Sequence, residues 1–222
     1  MPRKREDKEF TNNQYNPFTA KNDKQKQLFN HLDSSEIIIA YGAAGTGKTA
    51  CAVSKACEYL HEHKVDKIIV SRPSIEAGES IGHLPGEIHD KFAPWLAPVR
   101  GIMNEILGKS HVDSLVRAGK IEAIPLGFCR GQTFNNSYIL LDEAQNTTPE
   151  QMKMFLTRIG HNSKMVVTGD NDQTDIRGQN GLEDVIYKID WMSSVKIVEF
   201  ERNDIVRNSI ISDILSSYDE PN

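Results

Sequence analysis

Glu36-Ile37-Ile38-Ile39-Ala40-Tyr41, followed at once by Gly42-Ala43-Ala44-Gly45-Thr46-Gly47-Lys48-Thr49, decides the fold of this chain. The first six residues form a short apolar, β-branched run, the pattern of a strand buried on both faces of a parallel sheet. The next eight fit G-x-x-x-x-G-K-[ST], a loop whose backbone N–H groups cradle phosphate oxygens. Ala50 to Leu60 is rich in alanine and lacks Gly and Pro, so it reads as a helix. Phosphate binding needs strand, loop and helix in this order. Glycines let the backbone turn its N–H groups inward, and the helix N-terminus adds a favourable dipole. Within the loop, Lys48 is expected to reach the β- and γ-phosphates and the Thr49 hydroxyl to ligate Mg²⁺. A dinucleotide loop is a poor fit, because the glycines do not follow G-x-G-x-x-G and a Lys-Thr pair has no role there. The expected ligand is a nucleoside triphosphate.

The chain has 222 residues, 38% hydrophobic and 26% charged, which suits one water-soluble domain with a sizeable core. A formal net charge of −5 does not advertise a nucleic-acid binder, so any such contact needs a local basic patch or one built by assembly. Cys51, Cys57 and Cys129 are too few and too scattered for a disulfide framework, and buried thiols in a reducing cytosol are expected. No run is long enough to span a membrane and the N-terminus has no apolar signal core; the expected location is cytoplasmic, with no membrane partner.

Outward from the loop, strands and helices alternate. Met1 to Asn16 is charged or amide-rich and reads as a disordered arm. The expected organisation is a disordered or extended arm over residues 1–19, one domain over 20–218 and a tail over 219–222. A helix is expected from Asn22 or Asp23 to about Leu32. Further strands are expected at Lys67–Ser71, Ile121–Leu126, Tyr138–Leu141, Lys164–Val167 and Val195–Phe200. Helices are expected up to Leu107, over His111–Ala118, Pro149–Ile159 and Leu182–Ile189, and from about Ile205 to Tyr218. This order predicts an α/β fold, a parallel sheet with helices on both faces.

The strand Tyr138-Ile139-Leu140-Leu141 ends in Asp142-Glu143. A carboxylate at the carboxyl end of a neighbouring strand lies at the crevice where α/β sheets bind ligands. Asp142 is expected to hold Mg²⁺ directly or through water, and Glu143 to orient or deprotonate the attacking water. A further strand ends in Thr168-Gly169-Asp170, with Gln173 just beyond. Its amide can accept from that water and donate to the γ-phosphate, so Gln173 can sense whether the nucleotide is intact. Arg72 and Arg130 are candidates for phosphate-backbone contacts, with structural ion pairs as the alternative. His61 and His63 lack partners at ligand spacing and read as an exposed helix end.

Together these residues resemble the PhoH family, the phosphate-starvation-inducible ATPases related to superfamily-one helicases. The resemblance rests on the Gly42–Thr49 loop, Ser71-Arg72-Pro73 with Glu76-Ala77-Gly78-Glu79 and Leu84-Pro85-Gly86, and Arg130-Gly131-Gln132-Thr133. Its longest block runs from Ile139 through Asp142-Glu143-Ala144-Gln145 and Pro149 to Arg158, and on over Lys164–Asp170. It implies a RecA-like P-loop NTPase core, ATP hydrolysis with Mg²⁺, and a role in RNA or single-stranded DNA metabolism. By similarity, Gln25 falls where related helicases place an adenine-reading glutamine. Asp204-Ile205-Val206-Arg207 looks like the motif that supplies an arginine to the γ-phosphate. Ala43 departs from the proline that is common in the family, a small change in a turn that still allows phosphate binding.

Two functions compete at this point: a nucleic-acid-stimulated, helicase-like ATPase, and a nucleotide-dependent switch or assembly module acting on a protein partner. The acidic charge and the lack of room for a second RecA-like domain favour the latter. The same lack points to an arginine finger, Arg207 or alternatively Arg202, donated by a neighbouring subunit. Head-to-tail contacts of that kind close into rings, so the expected homo-oligomer is a ring, a hexamer by similarity to RecA-like motors.

Overall fold

The computed structural model describes residues 15–73 and 96–206. In chain order its elements are α1 (Asp23–Ser34), β1 (Ile37–Gly42), α2 (Lys48–His61), β2 (Lys67–Ser71), α3 (Ala97–Leu107), α4 (Lys109–Arg117), β3 (Ile121–Ala123), β4 (Ser137–Leu141), α5 (Pro149–Leu156), β5 (Lys164–Gly169), α6 (Gly181–Ile189) and β6 (Val195–Phe200). The described strands form one six-stranded sheet in the order β3-β2-β4-β5-β1-β6. Every neighbouring pair is parallel. This is the expected RecA-like α/β core, and β5 separates the loop-bearing strand β1 from the acidic strand β4.

The continuous apolar strands follow from burial on both faces. Successive side chains on a strand point to opposite faces, and the core divides accordingly. Ile38, Ala40, Ile68, Val70, Tyr138, Leu140 and Val166 pack with α1, α2, α3 and α4 on one face. Ile39, Ile69, Ile139, Leu141, Met165 and Val167 pack with α5 and α6 on the other. Leu28 and Leu32, one turn apart on α1, are both fully buried, and each such burial contributes roughly 1.5–3 kcal/mol. α1 starts where Asn22 caps it, its side chain accepting from the Gln25 N–H. α5 starts at a capping box, Thr148 and Gln151 each accepting from the other's backbone N–H, with Pro149 in its first turn.

Four expectations need correction. Tyr15 to Thr19 belong to the packed body rather than to a free arm. Tyr15 stacks on His61 with ring centroids 4.6 Å apart, Phe18 lies 5.8 Å from Phe29, and the Asn16 N–H donates to Ile106 O at 2.8 Å. Two aromatic anchors outweigh the polar composition around them. The third strand stops at Ala123 instead of Leu126, because Pro125 has no N–H for the ladder and a 3-10 turn takes over at Leu126–Cys129. α5 ends at Leu156 rather than Ile159. Ile205 is extended after a 3-10 turn at Arg202–Asp204, so the expected last helix does not include Ile205. Arg207 to Tyr218, Glu76 to Glu79 and Leu84 to Gly86 lie outside the described residues.

Candidate nucleotide site

Three strands bring their carboxyl ends to one edge of the sheet. β1 delivers the glycine loop, β4 delivers Asp142 and Glu143, and β5 delivers Asp170. β2, next to β4, adds Arg72. A cleft of about 740 Å³ opens between them, lined by Lys48, Thr49, Arg72, Asp142, Glu143, Asp170 and Gln173 among others.

The loop is held in shape from both sides. Gly47 caps α2 at φ +86°, so glycine is favoured there by conformation, and a Cβ, 2.6 Å from Gln25 Nε2, would push that amide aside. No side chain caps α2, which leaves the N–H groups of its first turn available to an anion. Lys48 is only 8% exposed. Its ammonium donates to Gly42 O at 2.6 Å and Ala43 O at 2.7 Å, folded over the loop whose phosphates it is expected to meet. Gln25 is fully buried. Its Nε2 donates to Thr46 O at 2.8 Å and its Oε1 accepts from the Lys21 N–H at 2.8 Å, so the amide ties the loop to the segment that leads into α1.

The loop and the acidic strand meet directly. Thr49 Oγ1 donates to Asp142 Oδ1 at 2.9 Å, across 93 residues of sequence. Thr168 Oγ1 donates to the same oxygen at 2.7 Å. The other oxygen, Oδ2, accepts from Arg72 Nε at 3.0 Å and Nη2 at 2.5 Å. Asp142 is 2% exposed, so removing Arg72 would strand a buried charge at a cost of about 3–5 kcal/mol. Of the two readings of Arg72, the geometry gives the ion pair.

Glu143 sits at φ +59°, in the left-handed region that non-glycine residues seldom occupy. That strain costs about 1–3 kcal/mol and is typical of residues held for function. Glu143 Oε2 accepts from Gln145 Nε2 at 2.8 Å, and Gln145 Oε1 accepts from the Asp170 N–H at 3.0 Å. Asp170 continues the chain, its Oδ2 accepting from Gln173 Nε2 at 3.0 Å. Burial holds the Asp170 carboxyl above the usual carboxylate range, against the opposing pull of Lys48. Gln173 stays exposed at the cleft rim.

The structure therefore gathers Gln25, the Gly42–Thr49 loop, Asp142, Glu143 and Gln173 around one cleft. Arg207 lies outside the described residues. The residue before it, Val206, donates its N–H to Gly45 O at 3.1 Å, so the chain beyond β6 runs back to the loop. Sequence reasoning singles out neither Gln145, Thr168 nor Asp170 as site residues. Their signals are faint: an amide two residues past the strand-end acids, and a threonine breaking an apolar strand.

The donor set fits a magnesium nucleotide. Thr49 gives its proton to Asp142 and keeps its oxygen lone pairs, which suits a hard cation. Among the described residues no three His, Cys, Asp or Glu are grouped to hold a metal by themselves. Mg²⁺ is bound through one or two protein oxygens plus substrate phosphates, and Thr49 and Asp142 offer such oxygens.

A parallel α/β sheet with a glycine loop facing an acidic strand end across one intervening strand defines a P-loop NTPase of the RecA-like class. The chain belongs to the PhoH-like family: the model of that family, described as PhoH-like protein, matches residues 17–219. It is 40% identical over 200 residues to a PhoH-like protein of Bacillus subtilis (strain 168), covering 89% of this chain and 63% of that protein. It is 42% identical over 206 residues to Protein PhoH of Escherichia coli (strain K12), covering 91% and 58%. The chain thus spans about three fifths of the length of these curated relatives. Among solved structures it is similar to the Pif1 helicase from Candida albicans, with TM-score 0.45 and 12% identity over 90% of this chain and 44% of that one. The Sulfolobus solfataricus SWI2/SNF2 ATPase core in complex with dsDNA gives TM-score 0.45 and 15% identity over 70% and 33%.

Proposed function

We propose that this chain is a Mg²⁺-dependent ATPase whose turnover is coupled to RNA or single-stranded DNA. The observation that carries the ATPase reading is the Thr49–Asp142 hydrogen bond, which joins the phosphate loop to the acidic strand inside one cleft. Loop N–H groups and the α2 N-terminus bind the phosphates, and Lys48 moves from the loop carbonyls to the β- and γ-oxygens. Thr49, backed by Asp142, holds Mg²⁺, which when bound neutralises charge on those oxygens. Glu143, its carboxylate steadied by Gln145, orients and deprotonates the water. Gln173, tied to Asp170, reads the γ-phosphate. Gln25 keeps one amide hydrogen and one lone pair beyond its present bonds, enough to meet an adenine edge.

Support for the nucleic-acid arm is the Asp142-Glu143-Ala144-Gln145 block and a small surface beside it. Cys129 Sγ lies 3.9 Å from Ser71 Oγ at the carboxyl end of β2. Its neighbours Phe128, 60% exposed, and Arg130, also exposed, offer a ring for stacking and a cation for phosphate. ATPase rate with and without RNA and single-stranded DNA tests the coupling. Stimulation by either is expected; ATP hydrolysis that no polynucleotide changes would move the function to a nucleotide switch acting on a protein. We also propose a ring, a hexamer with ATP between subunits, in which Arg207 or Arg202 meets the γ-phosphate of the next subunit.

A further inference from the structure

Arg72 is the cation seated on the acidic pair, and its geometry goes beyond an ordinary ion pair. Asp142 accepts four hydrogen bonds: from the Thr49 and Thr168 hydroxyls on Oδ1, and from Arg72 Nε and Nη2 on Oδ2. A carboxylate offers about four lone-pair sites, so these protein donors saturate it. The Oδ1 side is compatible with a metal, because Thr49 can ligate while still donating its proton. The Oδ2 side becomes open to a metal-bound water only when Arg72 lets go. A second acceptor stands ready, since Glu143 Oε1 lies 3.5 Å from the same Nη2. The Arg72 side chain is 18% exposed and lines the cleft, whereas Asp142 is closed in at 3%. A planar guanidinium can pivot between the two carboxylates without losing its pairing.

We propose that Arg72 is a positioning residue that holds Asp142 Oδ2 until a divalent cation is loaded with nucleotide, then passes its pairing to Glu143. Arginine and metal compete for one carboxylate oxygen. Before loading, Arg72 keeps Asp142 aimed at the cleft. On loading, its shift towards Glu143 links the arrival of the metal to the orientation of the carboxylate that handles water. A divalent cation without nucleotide binds poorly, because it lacks the phosphate oxygens that offset displacement of the arginine. This inference rests on the nucleotide reading above.

The test uses the full chain with ADP, which binds without turnover, and Mn²⁺ followed by the electron paramagnetic resonance of its free form. ADP affinity is measured separately in EDTA by calorimetry. Arg72→Ala is expected to bind Mn²⁺ in the presence of ADP ~5-fold or more tightly than the parent chain, the low end of coupling between linked ligands. Its ADP affinity in EDTA is measured alongside, so that a change in metal binding is separated from a change in nucleotide binding. Arg72→Ala should also lower the melting temperature of the protein without nucleotide, and Arg72→Ala combined with Asp142→Asn should restore most of it, because the stranded charge is gone. Arg72→Lys keeps the charge but not the two-pronged grip, and covers the case in which Arg72→Ala does not fold. It too should bind Mn²⁺ more tightly than the parent. Mn²⁺ binding that is equal or weaker in these variants, with ADP affinity in EDTA intact, overturns the exchange and leaves the nucleotide reading standing. A parent chain that binds no ADP under either condition overturns both.

Discussion

At the scale of single residues, Lys48 and Glu143 separate binding from chemistry. Lys48→Ala should lose most ATP affinity, because charge on the β- and γ-phosphates then goes unneutralised in the loop; near-parental affinity by calorimetry would remove that assignment. Glu143→Gln should keep binding and hydrolyse ~100-fold more slowly or worse, the scale on which a positioned base acts. Unchanged turnover would mean that another group handles the water. Away from the cleft, Lys164 at the start of β5 is buried, and its ammonium donates to Ser35 O. Burial pushes its pKa from 10.5 down to about 8. Between these values the unfolded chain binds the proton and the folded chain does not, so stability rises with pH across that window. Below it the folded chain carries a poorly solvated charge, which costs about 1.4 kcal/mol for every tenfold loss of proton affinity. Lys164→Met should be more stable than the parent at pH 7 and lose that upward slope, and urea melts at pH 7 and pH 10 measure both. A slope that survives the substitution would assign it to another group.

At the scale of elements, helix starts do two different jobs. α5 satisfies its first turn internally, through the Thr148–Gln151 capping box. α2 leaves its first turn open behind Gly47. Thr148→Ala should therefore cost about 1 kcal/mol of stability, the usual value of a lost cap, without changing ADP affinity. Thermal unfolding alongside nucleotide titration checks this, and a parallel loss of affinity would show that α5 bears on the cleft. The elements also hold the thiols inert: Cys51 and Cys57 face the core from α2, where burial pushes both pKa values up to about 12.

At the scale of the whole molecule, the proposed ring turns on which chain supplies an arginine to the γ-phosphate. Such a group is worth ~10³–10⁵ in rate. Val206 donates its N–H to Gly45 O of its own chain, and two sources are to be separated for the proposed arginine: the same chain or the next subunit. Mixing Lys48→Ala with Arg207→Ala decides it. In a ring with shared sites, some interfaces regain an intact loop facing an intact arginine, and partial ATPase activity returns. Mixed oligomers with no recovered activity, or a fully active monomer by native mass, would assign the arginine to its own chain.

The sequence by itself determined the local structures whose causes are local. Glu36–Tyr41 read as a buried parallel strand, Gly42–Thr49 as a phosphate loop and Ala50–Leu60 as a helix, because residue type and spacing are local properties. It also named Asp142 and Glu143, since acids at the end of an apolar strand have only the sheet edge to occupy. Only the tertiary structure decided what those acids touch. Strand order put Thr168 on one side of Asp142 and the end of β2 on the other, so Arg72, 70 residues away in sequence, closes on Asp142. The Gln145 bridge to Asp170 likewise depends on β5 lying next to β4. Tyr15 and Phe18 show the same limit at the other end of the chain. A polar stretch reads as disordered until the surfaces that receive its two rings are assembled, and those surfaces come from α1 and α2 packing on the sheet.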